Sequence, residues 1–205
     1  MATRPVLVGA CGVILVLAIA GAIFASLGDD PEALRVIHEW VEARNDGDIE
    51  TVFRLLADDA SVIEFSLNIP ERRDAFAEFL RVQQAAGWEI SDSNCVAEQE
   101  VVTCRYEQGD RFLRALNFSL AGTHRYGVHE GVITSVEREH DTGSRNEVFG
   151  AWTRVRLWVG EHHPDLDGVI WVNRRDIAYS TVEGVEALLT VFDDYLASLP
   201  ESASS

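Results

Sequence analysis

The stretch His38-Glu-Trp-Val-Glu-Ala-Arg-Asn-Asp-Gly-Asp-Ile-Glu-Thr-Val-Phe-Arg-Leu-Leu-Ala-Asp-Asp-Ala60 decides how this chain folds. Its first half continues an apolar pattern begun at Leu34, in which Val36, Ile37, Trp40 and Val41 recur at helical spacing. Asp30-Pro31-Glu32 opens that helix with a capping acid, Pro at the first helical position and an acid near the positive end of the dipole. Asn45-Asp46-Gly47 breaks it, because these residues favour turns. Asp48 can then cap a second helix whose apolar face is Ile49, Val52, Phe53 and Leu56. Asp58-Asp59 is expected to end that helix, and Ser61–Leu67 reads as a strand.

Working outward, Pro70 to Gly87 reads as a third helix with Phe76, Phe79 and Leu80 on one side. Beyond it the apolar period falls to two, so Trp88–Ala97, Val101–Gln108, Ala121–His129 and Val132–Glu139 are expected strands. The last two are joined at Glu130-Gly131 as a hairpin. Asp110–Asn117 stays open between a short helix and an irregular edge. Two further helices follow, opened by possible capping boxes at Ser144…Glu147 and Ser180…Glu183. Helices, then an antiparallel run of strands, then helices make an α+β layout.

The 38–60 stretch resembles the opening of the nuclear transport factor 2-like, or SnoaL-like, superfamily: a helix, a Gly-Asp break, a short helix and an Asp-Asp-Ala turn into the first strand. Tyr126-Gly-Val-His-Glu-Gly-Val-Ile-Thr-Ser-Val136 resembles the final hairpin of that family. The resemblance covers roughly residues 32–139. It implies a cone, made by a curved antiparallel sheet wrapped around the N-terminal helices, with a pocket at its wide end. The two C-terminal helices extend beyond the family pattern and are expected to cover the open end. The family hosts isomerases, dehydratases, cyclases, binding modules and non-catalytic partners, so it implies a fold more than an activity. An enzymatic version needs an acid or base inside the apolar cone, its pKa shifted by burial. The candidates are Glu64 on the first strand, His124 and Tyr126 on one face of a later strand, and His38 on the first helix. A Tyr–His pair could polarise a carbonyl while Glu64 moves a proton. The Tyr-plus-Asp constellation of the isomerase branch is not legible, because no equivalent Asp can be placed.

The 205 residues hold 17 Lys+Arg against 34 Asp+Glu, a formal charge of −17. Such a balance disfavours nucleic acid, whose binding needs a basic footprint, and equally disfavours docking on anionic headgroups. All the basic residues are Arg, which removes Schiff-base and phosphate-loop Lys chemistry. Residues 1–28 read as a separate unit. Val6–Leu27 is an uncharged run of 22 residues, long enough as a helix of about 1.5 Å per residue to cross a bilayer core. Arg4 on one flank and Asp29, Asp30 and Glu32 on the other place the N-terminus in the cytoplasm and the rest outside. A transmembrane anchor is the expectation, with a cleaved signal peptide and secretion as the alternative. Residues 29–197 then form the α+β domain, and 198–205 a Ser-rich disordered tail.

Cys95 and Cys104 flank Gln99-Glu100, and strands pairing across that turn bring together residues whose numbers sum to 199. In an oxidising compartment a cross-strand disulfide follows. Two buried thiols are the alternative. His162-His163-Pro164-Asp165-Leu166-Asp167 is the string most like a metal site, but adjacent histidines rarely converge on one ion, so it reads as a solvated loop and no metal or cofactor is expected. Nucleophile-elbow, dinucleotide and phosphate-loop motifs are all absent from the sequence. The expectation is a membrane-tethered, extracytoplasmic, non-catalytic domain that binds a partner protein or a small apolar ligand. The alternative is a lyase or isomerase built on Glu64, His124 and Tyr126.

Overall fold

The structure is a computed structural model that describes residues 31–62, 67–172 and 179–200. The expected anchor over 1–28 and the tail from 201 onward lie outside these residues, as does Glu64. Among the described residues, no helix is long and apolar enough to cross a membrane.

Helix α1 (Pro31–Asp46) ends at Gly47, whose φ of +72° suits a residue without a Cβ. Asp48 caps α2 (Ile49–Arg54) by accepting from the Thr51 amide, as its position before an apolar face predicts. Strand β1 (Leu56–Val62) begins earlier than expected: Asp58 and Asp59 lie inside it, not at the end of a helix. The helix has only 6 residues, and Leu56, Ala60 and Val62 bury themselves as strand residues instead. Strand β2 (Leu67–Asn68) leads into α3 (Ile69–Ala85).

Next come β3 (Glu89–Glu98) and β4 (Val101–Gly109), then α4 (Arg111–Ala115), β5 (Leu120–His129) and β6 (Val132–His140). The segment left open between helix and edge is thus a helix, capped by Asp110, which accepts from the Leu113 amide at 2.7 Å. The turn between β5 and β6 places Glu130 at φ +49° and Gly131 at φ +76°, the positive-φ pair of a tight hairpin.

The strands form one curved sheet in the order β2-β1-β6-β5-β4-β3. The sheet is mixed where an antiparallel one was expected, because β1 runs parallel to β6. These two strands are far apart in sequence, and such a crossover permits a parallel pair that no hairpin could make. Trp40, Val36 and Ile37 of α1 bury against its concave face, with Phe76 and Leu80 of α3 in the same core.

Helices α5 (Thr142–His162), α6 (Asp167–Ile170) and α7 (Val182–Ser198) complete the chain. Neither expected capping box, Ser144…Glu147 or Ser180…Glu183, forms. Helix α5 starts two residues before Ser144, whose hydroxyl instead binds the Ala121 backbone, and α7 is capped by Thr181, which accepts from the Gly184 amide. A second core joins Val148, Trp152 and Val155 of α5 to Val185, Leu188 and Phe192 of α7 and to Phe112 of α4. His162 ends α5, stacks on Trp158 and contributes to no metal cluster among the described residues.

Candidate functional site

Cys95 and Cys104 are bonded to each other across β3 and β4, with Cα atoms 4.1 Å apart. The pairing sum of 199 holds at Glu98–Val101, Ala97–Val102 and Val96–Thr103. It then falls to 198 from Ser93–Arg105 outward, because a bulge with Asn94 at φ +50° inserts one residue. A one-residue slip exchanges the two faces of a strand. Without the bulge Asp92 would face away from the core; with it, Asp92 joins Ile90 on the concave side.

That shift builds a buried polar network. His124 and Tyr126 on β5 are fully buried, and the Asp92 side chain is 7% exposed. Arg138 Nε–H donates to His124 Nε2 at 3.0 Å, so Nε2 carries no proton. The imidazole proton is therefore on Nδ1, which lies 2.9 Å from Asp92 Oδ1. The Tyr126 hydroxyl donates to Asp92 Oδ2 at 2.5 Å and lies 2.9 Å from His124 Nδ1. The arrangement is a cation, a neutral imidazole and a carboxylate in line, with a phenol as second donor to the carboxylate. Burial, and then the Asp92 charge, push the Tyr126 hydroxyl well above its ordinary value, so it stays protonated.

Tyr106 stacks on His124 with ring centroids 4.1 Å apart, and its hydroxyl meets His140 Nδ1. Reaching His140 requires passing over Gly122, which stands between them in the sheet register. A Cβ there would lie 2.9 Å from the Tyr106 hydroxyl and 2.0 Å from the Glu139 carbonyl oxygen, so only Gly fits. Trp40 of α1 closes the other side, edge-on to Tyr126 at 5.9 Å.

A cavity of about 700 Å³ opens beside this network. Phe79 and Val82 of α3, Trp88, Leu113 of α4, and Val148 and Trp152 of α5 supply its apolar wall. Of the two C-terminal helices expected to cover the open end, α5 lines this cavity together with Tyr179 and Ser180 before α7, whereas α7 contributes no lining residue. Tyr179 is held there by donating to Asp110 Oδ2 at 2.5 Å. Burial raises the Asp110 carboxyl above its ordinary value despite that bond, and burial lifts the Tyr179 hydroxyl well above its own. The polar part of the lining is Gln108, Arg138 and His140 from the sheet, with Glu78, Gln83, Arg145, Tyr179 and Ser180. Gln108 is 2% exposed, and neither its Oε1 nor its Nε2 has a hydrogen-bond partner among the described residues. It also borders a more open depression of about 480 Å³ lined by Asp46, Glu89 and Glu107.

Of the sequence candidates, the structure brings together His124 and Tyr126, and adds Asp92 and Arg138, which the sequence reading missed. The signal was a charged residue at an inward position, Arg138 two residues after buried Val136 and Asp92 two after buried Ile90. Neither His124 nor Tyr126 lines the cavity; the network reaches it through Arg138. His38 is far from this role: it sits on the outer face of α1, 75% exposed, against Glu42.

No protein-family profile matches the chain, and no curated protein matches it. Solved structures similar to it include an LEH-like epoxide hydrolase of Mycobacterium tuberculosis, with 24% identity, a TM-score of 0.47, and coverage of 62% of this chain and 96% of that one. An NTF2-like protein of unknown function from Cytophaga hutchinsonii has 14% identity and a TM-score of 0.43, over 56% of this chain and 94% of that one. A putative ketosteroid isomerase from Kribbella flavida has 15% identity and a TM-score of 0.41, over 54% and 78%.

Proposed function

We propose that this chain is a membrane-tethered, extracytoplasmic binding domain that takes one small, mainly apolar molecule into the 700 Å³ cavity. The observation that carries the reading is the cavity itself: its volume lies in the range of small-molecule sites, and its wall is largely aromatic and aliphatic. The tether rests on the Val6–Leu27 run and its flanking charges, and the Cys95–Cys104 bond suits an oxidising space. Chemistry by His124 and Tyr126 ranks second, because their polar atoms are engaged by Asp92 and Arg138 behind the cavity wall.

Trp88 and Trp152 line the cavity, so their fluorescence reports occupancy. The full chain in lipid nanodiscs is titrated with sterol, polyketide and fatty-acyl compounds. A binder at about 100 times its Kd adds about 2.7 kcal/mol, a Tm rise of roughly 5–10 °C for a chain of this size. Val148→Phe, which narrows the cavity, should abolish both signals and so separate binding from lipid partitioning. Ligands that act equally on this variant and the natural chain would refute the reading.

A further inference from the structure

The cavity has a polar end with a definite sign. The network runs from Asp92, buried on the same sheet face, through neutral His124 to Arg138, and only the Arg138 end belongs to the lining. Arg145 and His140 line the same cavity. The one acid in the lining among the described residues, Glu78, is half-exposed and ion-paired to Arg81 at 2.9 Å. In a chain of net charge −17, the lining thus holds two guanidiniums, Arg138 and Arg145, against one carboxylate. A planar guanidinium beside apolar walls is the usual partner of a carboxylate.

Gln108 adds an independent requirement. Its amide is buried in the cavity wall with a donor and an acceptor both unmatched among the described residues, which costs free energy unless a ligand supplies partners. A carboxylate satisfies Nε2 alone; Oε1 needs a ligand donor. The depression on the other side of Gln108 carries Asp46, Glu89 and Glu107 against Arg114, which is ion-paired to Glu89 at 3.3 Å, so its net charge disfavours an anion. Resting on the binding reading above, we propose that the ligand is an amphipathic hydroxy acid. Its apolar body packs on Phe79, Leu113 and Trp152, its carboxylate lies by Arg138, and a hydroxyl close to the carboxylate is read by Gln108.

The test compares 3-hydroxydecanoate, decanoate and decanol against the full chain in nanodiscs, read by tryptophan fluorescence with the Val148→Phe variant as baseline. Decanoate should bind about tenfold more tightly than decanol, from one charge-assisted hydrogen bond, and 3-hydroxydecanoate about fivefold more tightly again. Gln108→Leu should remove the advantage of the hydroxyl while leaving decanoate above decanol. Because it deletes two unmatched polar atoms, this variant should fold at least as well as the natural chain. Arg138→Gln, which keeps an N–H donor while removing the charge, should narrow the gap between acid and alcohol, and an unchanged gap would overturn the placement of the carboxylate. Equal binding of all three probes overturns the hydroxy-acid inference and leaves the binding reading standing. No saturable binding of any probe, with none from the wider panel, overturns both.

Discussion

Tyr126→Phe removes a single hydroxyl and leaves the ring, with its edge contact to Trp40 at 5.9 Å, in place. The hydroxyl is one of two donors to a carboxylate that is 7% exposed, so its loss leaves a charged acceptor short of a partner in a low-dielectric site. A hydrogen bond to a charged group contributes about 1.5–3 kcal/mol. For a chain of this size that is a Tm decrease of roughly 3–12 °C, read by circular dichroism. The structure makes a sharper claim in a double-mutant cycle with Asp92→Asn. That substitution puts a neutral amide in place of the carboxylate, so removing the phenol costs less in that background, by about 1 kcal/mol. Tyrosinate absorbance supplies a second check, since the buried phenol should not titrate before the fold opens. A Tm shift within about 1 °C, or the same cost with and without the Asp92 charge, would refute the network as drawn.

Two further perturbations probe other parts of the fold. Replacing Cys95 and Cys104 together by Ala should cost about 2.5–3 kcal/mol on the chain-entropy model for a separation of 9, measured by urea unfolding; no loss would mean the bond constrains nothing in the unfolded chain. Asp110 has a folded pKa raised by burial, so the native state binds its proton more readily than the unfolded state does. Its contribution is therefore present at low pH and lost as pH rises through the raised value. Between pH 7 and about 4, the stability of the natural chain relative to Asp110→Asn should rise as pH falls. A flat or opposite difference would show that the carboxylate is not penalised where it sits.

Much of this architecture was legible in the residues because its signals are local. The Asp48 cap, the Gly47 break, the Glu130-Gly131 hairpin and the two-residue period of β3 to β6 each depend on neighbours within a few positions. The cysteine pair was legible for the same reason, since it lies within the register set by a two-residue turn. The sequence also showed which residue types share the later strand, His124 and Tyr126 two apart on one face. Tertiary structure decided what these residues meet. Asp92 reaches them only because the bulge at Asn94 turns it from the outer to the inner face, and Arg138 only because β6 pairs with β5 at that register. The same holds for the cavity, whose wall combines α3, α4, α5 and the sheet across more than a hundred residues of chain. Local chemistry sets each element, but a site depends on relative strand register, where a slip of one residue inverts every side chain.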